Sequence, residues 1–271
     1  MKRKIGKKEY DLSKQTLVMG IINVTPDSFS DGGSYTDIEA AVRQAQKLEA
    51  EGADILDIGG ESTRPGFEPV PADEEIARVV PAIQAIKAAV DLPISIDTYK
   101  AKTAEAAIEA GASIINDIWG AKYDPDMAGV AARYKVPIIL MHNRRIAHYD
   151  DLLTDMVADL EESIAIALDA GVERKDIWLD PGIGFVKSFE ENMAAMRQLD
   201  KITAMGYPVL LGTSRKRFIG MVLDLPAGER DEGTMATTAF GMTKGVHMVR
   251  VHEVKQTARL VKMMDALIGE D

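Results

Sequence analysis

The stretch Leu17–Ser34, LVMGIINVTPDSFSDGGS, carries two signals that decide the fold. Its first six residues are an unbroken apolar run, short and rich in β-branched side chains, which predicts a strand buried on both faces. The run stops at Asn23, and a loop rich in Pro, Asp, Ser and Gly continues to the helix-capping pair Thr36-Asp37. A buried strand closed by a polar amide and followed by a long loop has the form of an active-site edge.

Outward from this stretch the same unit recurs. A helix over Ile38–Glu51, with Ile38, Ala41, Val42, Ala45 and Leu48 on one face, ends at Gly52, and the strand Asp54–Ile58 follows. The loop GGESTRPGFEPVPADEE is again longer than connection requires. Then come helix Asp73–Val90 and strand Ile94–Asp97, helix Lys100–Ala110 and strand Ser113–Ile115, and helix Pro125–Tyr134 and strand Val136–Met141. Helix Tyr149–Ala170 precedes strand Ile177–Leu179, and helix Phe189–Met205 precedes strand Pro208–Leu211. Helical segments before Gly245, the strand Val246–Val251 and the helix Glu253–Ile268 complete the chain. The phrases EGAD, EAGAS and DAGVERKDI each join a helix to a strand, as repetition of one unit would require.

About eight β-then-α units in 271 residues predict one α/β domain spanning 1–271, a single (β/α)8 TIM barrel with long loops after strands 1 and 2. A doubly wound open sheet uses the same alternation and is the structural alternative. No composition break divides the chain, and the basic start MKRKIGKKEYDL is expected to be frayed.

The 43 acidic and 32 basic residues leave a net charge of −11, which disfavours nonspecific nucleic-acid binding while leaving room for a local anion site. The absence of cysteine excludes disulfides, thiolate catalysis and Cys-ligated zinc. No run approaches ~18 apolar residues and the start lacks the apolar core of a signal peptide, so a cytoplasmic protein without membrane partners is expected. The four histidines, His142, His148, His247 and His252, lack zinc spacing; His148 reads as surface and His247 as an ordinary strand residue. Magnesium held mainly by a phosphate substrate, with one protein ligand, needs no such cluster. Neither Gly32-Gly33, Gly59-Gly60 nor Gly182-Ile183-Gly184-Phe185 forms a nucleotide fingerprint.

In a barrel all C-terminal strand ends open on one face. Those ends are Asn23, Gly59-Gly60-Glu61, Asp97, Asn116, Met141-His142, Asp180, Gly212 and Arg250. Any single Asp or Asn there is as readily a cap or turn residue, but distant units repeat the placement. Together Asp97, Asn116 and Asp180 suit a flat heterocycle rich in N–H groups. Gly212-Thr213-Ser214-Arg215-Lys216-Arg217 after the seventh strand, and Arg250 and His252 at the eighth, occupy the positions where such barrels bind phosphate. One of Arg215 and Arg217 is expected at the surface, and Lys216 is the better inward candidate.

Three segments carry a resemblance: NVTPDSFSDGG (Asn23–Gly33), GGESTRPG (Gly59–Gly66) and GTSRKRFIG (Gly212–Gly220). With the strand ends SIDTYK, INDIWG, MHNR, LDPGIGF and VRVHEV, in that order, they resemble the dihydropteroate synthase family over nearly the whole chain. The loop around Ile146-Ala147-His148 is the least family-like part. The resemblance implies a folate-pathway transferase, typically a homodimer, that joins 6-hydroxymethyl-7,8-dihydropterin diphosphate to p-aminobenzoate with release of diphosphate and with Mg2+ as cofactor. It implies a pterin subsite of Asp97, Asn116, Ile118, Met141, Asp180, Lys216 and Arg250. It implies diphosphate contacts from Asn23, Thr63, Arg64, Arg250 and His252, with Asn23 also facing the metal. Phe29, Pro65, Phe185, Ser214 and Lys216 would surround p-aminobenzoate, and Asp31, Lys216, Arg250 and His252 would act in catalysis, through a pterin cation. The alternatives are a methyltransferase-type pterin barrel, which should lack the two loops, and a catalytically silent pterin-binding paralogue. An aldolase barrel would need a strand lysine that no strand supplies.

Overall fold

A computed structural model describes residues 1–25, 34–61 and 69–269 of the chain. Eight parallel strands form one sheet: β3 (Leu17–Asn23), β4 (Ile55–Gly59), β5 (Ile94–Asp97), β6 (Ile114–Asp117), β7 (Ile138–Met141), β8 (Ile177–Asp180), β9 (Leu210–Leu211) and β10 (Met248–Val251). Neighbours run β8-β7-β6-β5-β4-β3-β10-β9. The ring closes where Leu179 pairs with Val209, so the fold is the barrel and not the open sheet. The outer helices are α1 (Ser34–Glu51), α2 (Ala72–Ala89), α3 (Ala101–Ala110), α4 (Met127–Tyr134), α5 (Leu152–Asp169), α6 (Phe189–Arg197), α7 (Leu199–Thr203), α8 (Arg217–Leu223), α9 (Asp231–Thr243) and α10 (Val254–Ile268).

Period-2 alternation divides the strand side chains between two cores. Outward residues such as Val18, Ile22, Leu56, Ile58, Ile96 and Leu140 pack under the helices. Inward residues Leu17, Met19, Ile55, Ile114, Ile139, Trp178, Leu210 and Met248 fill the lower half of the barrel. Three further side chains join that inner core: Ile5, Tyr10 and Leu12. They come from the chain start, which is not frayed. It forms the antiparallel hairpin β1 (Lys2–Ile5) and β2 (Lys8–Asp11), with Gly6 at φ +58° in the two-residue turn. Its lysines face water while its few apolar residues stopper the barrel.

Boundaries differ from the sequence reading where local geometry overrides pattern. The helix expected over Phe189–Met205 breaks at Gln198 (φ −110°, ψ 23°) into α6 and α7. Its start is fixed by a capping box in which Ser188 and Glu191 satisfy each other's backbone N–H groups. α5 starts at Leu152 rather than Tyr149, because the Asp151 carboxylate caps Thr154 N–H. β7 begins at Ile138, after Pro137, and β6 extends to Asp117, which carries its polar end into the barrel mouth.

Candidate active site

Strand register builds the site. Asn23 pairs laterally with Gly59, Gly59 with Asp97, and Asp97 with Asn116, so these four form one row across β3, β4, β5 and β6. Met141 pairs with Asp180 across β7 and β8. Two glycines keep the centre open. A Cβ on Gly59 would stand 3.6 Å from Asp97 Cβ and 3.9 Å from Asn23 Oδ1, and one on Gly212 would stand 3.9 Å from Asp180 Oδ2 and 4.0 Å from Arg250 Cβ. Larger residues there would fill the space a flat ligand needs.

Arg250 is the hub. Its Nε donates to Asp57 Oδ2 at 2.5 Å and its Nη2 to Asp97 Oδ2 at 2.6 Å; Asn116 Nδ2 donates to the same Asp57 oxygen at 3.3 Å. Burial acts to lower the guanidinium pKa, but Asp57 and Asp97 outweigh it and hold Arg250 above its ordinary value. Burial raises Asp97 despite Arg250, and it raises Asp180 despite Lys216. Among the described residues, Asp57 Oδ1, Asp97 Oδ1 and Ser95 Oγ are buried without a hydrogen-bond partner. Buried acceptors left open at a barrel mouth fit a ligand that brings N–H groups.

Lys216 is partly buried and inward, as expected. Its ammonium donates to the Ile183 carbonyl and stands 4.8 Å from the Phe185 ring centroid. Burial pushes it down to about 8, against the pull of Asp180. Ser214 Oγ accepts from the His252 backbone N–H at 3.2 Å and lies within hydrogen-bond distance, 2.8 Å, of His252 Nδ1. Asn23, the last residue of β3, is exposed, Met141 at the end of β7 is buried, and Ile118 is half-buried. Arg215 pairs with Asp231 and Glu253 at 2.8 Å, so Arg217 is the surface residue of the two. The candidates Phe29, Asp31, Thr63, Arg64 and Pro65 lie outside the described residues.

Two features escaped the sequence reading. Asp57 looks like one charge inside the strand ILDIG; its inward register position was the available signal. The second is a partly buried chain of polar groups from Lys187 through His142 to Asp159. Asp117 illustrates the opposite case. It too ends a strand, but its carboxylate accepts the Trp119 and Ala121 N–H groups at 2.8 and 2.6 Å, so it is a turn residue.

The family model described as pterin binding enzyme matches residues 19–252, and so this parallel barrel, with paired carboxylates, an amide and two cations at its mouth, belongs to the class of pterin-binding enzymes. Dihydropteroate synthase of Bacillus subtilis is 60% identical over 257 residues, covering 95% of this chain and 90% of that protein. The crystal structure of dihydropteroate synthase from Clostridium difficile in the presence of pteroic acid has a TM-score of 0.94 at 46% identity, over 96% of this chain and all (100%) of that one. That of the Xanthomonas albilineans enzyme with 4-aminobenzoic acid has a TM-score of 0.92 at 41% identity, over 97% and 96%. The chain belongs to the dihydropteroate synthase family, transferases of folate biosynthesis.

Proposed function

We propose that the barrel mouth holds the two substrates of dihydropteroate formation in adjoining subsites, with the residues divided as follows. Asp97, Asn116 and Asp180 accept from and donate to the edge of the dihydropterin, Lys216 meets its carbonyl, Arg250 covers its face, and Met141 and Ile118 line it. Asn23, Arg250 and His252 take the diphosphate, with Thr63 and Arg64. Ser214 and Lys216 meet the p-aminobenzoate carboxylate beside Phe185, with Phe29 and Pro65. The convergence of Asp97, Asn116, Asp180, Lys216 and Arg250 around the open positions of Gly59 and Gly212 carries this reading. The pteroic acid and 4-aminobenzoic acid present with the two relatives support it.

The chemistry follows from charge. The arylamine nitrogen is neutral near pH 7 and needs little base assistance to form its bond to the exocyclic carbon. The bond from that carbon to the diphosphate oxygen breaks, and an amine proton is released. The barrier lies in the departing negative charge and the cationic carbon left behind, which the electron-rich dihydropterin delocalises. Arg250 and His252 stabilise the first; Asp31 from the first loop stabilises the second electrostatically.

Among the described residues no group of three or more acidic or histidine side chains forms a metal site. The Asn23 amide oxygen, a hard neutral donor at the rim, fits one ligand of a Mg2+ otherwise held by diphosphate and water. That ion would neutralise charge on the leaving group. A homodimer is supported by exposed apolar side chains on consecutive helices: Met221, Val222 and Leu223 of α8, Phe240 of α9, and Met263, Leu267 and Ile268 of α10. No helix among the described residues is long and apolar enough to cross a membrane, and a cytoplasmic location is proposed with small-molecule partners only.

The decisive assay follows diphosphate release from the purified protein with Mg2+, which should require both organic substrates. In D180A, calorimetry should find pterin binding lost; normal pterin affinity would refute the assigned pocket.

A further inference from the structure

The turn Pro181–Lys187 joins β8 to α6 and carries both Phe185 and the carbonyl that holds Lys216. Its backbone is held in an improbable form. Gly182, Gly184 and Val186 have φ of +63°, +88° and +40°. Glycine tolerates this, but a β-branched residue there is strained and persists only where its surroundings impose it.

Those surroundings are polar and specific. Asp180 Oδ1 accepts Gly182 N–H at 2.7 Å, Asn192 Oδ1 accepts Gly184 N–H at 2.6 Å, and Tyr149 donates to the Val186 carbonyl at 3.0 Å. Lys187 folds back beneath the turn, and its Nζ donates to the Gly182 carbonyl at 3.0 Å, the Phe185 carbonyl at 3.3 Å and His142 Nδ1 at 2.8 Å. In its ammonium form Lys187 has three N–H donors, and here each meets an acceptor, although burial and then the Lys216 charge push its pKa down to about 7. Because Nδ1 accepts, His142 is the neutral tautomer that donates from Nε2 to Asp159 Oδ2, at 3.0 Å. The same Asp159 oxygen receives Arg144 Nε at 2.5 Å. Burial and the Lys187 charge both push the His142 pKa down, consistent with that tautomer. Position 182 has no room for a side chain, since a Cβ on Gly182 would lie 2.0 Å from the His142 carbonyl oxygen.

One turn thus serves two lysines. Its Gly182 and Phe185 carbonyls hold Lys187 below, while its Ile183 carbonyl and Phe185 ring hold Lys216 above. We propose that Lys187, braced by His142 and Asp159, is a positioning residue that clamps this turn from beneath and so sets the p-aminobenzoate subsite, fixing the Phe185 ring and the Ile183 carbonyl relative to Lys216. The proposal rests on the reading that Phe185 borders p-aminobenzoate.

Steady-state kinetics of K187M, H142L, H142N and F185A test it, with folding followed by thermal melts. K187M and H142L should raise KM for p-aminobenzoate at least tenfold while changing KM for the pterin diphosphate less than threefold. H142N, whose amide oxygen replaces Nδ1 as acceptor, should stay within about threefold of wild type for both. If K187M does not fold, the contrast between H142L and H142N decides the matter alone. A raised KM for p-aminobenzoate in F185A with wild-type values in K187M and H142L would overturn the clamp only, as would K187M or H142L losing thermal stability with both KM values unchanged. An unchanged KM in F185A would overturn the subsite reading, and the clamp with it.

Discussion

Arg250 lies in the barrel mouth between two carboxylates on neighbouring strands, and only one of them, Asp97, sits at a strand tip. Asp57 lies one inward position deeper, fully buried, and shares its Oδ2 between Arg250 and Asn116. Removing one partner of a buried pair leaves the other charge uncompensated, at a cost of about 3–5 kcal/mol. D57A is therefore expected to lose stability and at least ~10-fold in pterin affinity, about 1.4 kcal/mol. Calorimetric titration with a pterin ligand checks this; wild-type affinity in a folded D57A would show that Asp97 alone orients Arg250. A histidine outside the site offers a pH test. Val209 N–H donates to His247 Nδ1 at 3.2 Å, and burial, with Arg3 and the N-terminal ammonium nearby, pushes its pKa down to about 4. The unfolded value is about 6.5, so between pH 6.5 and 4 the unfolded chain binds more protons and this contribution to stability falls as pH falls. H247N keeps an acceptor but cannot titrate. Between pH 7 and 5 it should lose about 1–2 kcal/mol less stability than wild type by urea unfolding, and equal losses would refute the assignment.

At the scale of elements, the hairpin β1–β2 and the short strand β9 show what completes the barrel. β9 has two residues, yet Val209 just before it pairs with Leu179 and joins the two ends of the sheet. The hairpin contributes Ile5, Tyr10 and Leu12 to the inner core beside Trp178, and Tyr10 donates from its hydroxyl to the Asp54 carbonyl at 3.1 Å. Ile5 is fully buried, so I5A should cost about 2–5 kcal/mol in urea unfolding. Because the hairpin closes the end of the barrel opposite the site, KM for both substrates should stay at wild-type values. A change in KM would mean that the lower core transmits strain to the mouth. Gly-rich turns act at the other end, where Gly182 and Gly184 allow the backbone to approach β7 and Lys216 more closely than any side chain would permit.

For the whole molecule, most of the exposed large apolar residues among those described lie on α8, α9 and α10, the helices around the last strand, while the sequence as a whole is strongly acidic. Exposed apolar surface of this kind is what the proposed homodimer would bury against a second copy of the chain. Analytical ultracentrifugation should find a dimer, and V222E together with L267E should shift it to monomer. A monomeric wild type at micromolar concentration would reject the proposed assembly.

The alternation of buried strands with amphipathic helices, and the polar residue ending several of the strands, were legible because burial on both faces of a parallel sheet demands continuous apolar runs. Asn23, Asp97, Asn116 and Asp180 stood out as the first polar residues after those runs, and the motifs around Asn23, Gly59 and Gly212 pointed to the family. Hidden from the sequence were features that depend on register and on contacts between distant segments. Asp57 and Asp97 are 40 positions apart and meet at one guanidinium only because β4 and β5 are neighbours and β10 lies just beyond β3 in the same ring. Lys187, His142 and Asp159 form a chain only because the turn after β8 folds over the end of β7 against α5. A basic start reads as solvated, since its lysines outnumber the three apolar residues that plug the barrel. Periodic burial is a local property and is written in the chain; which charges share a partner is decided when the barrel closes.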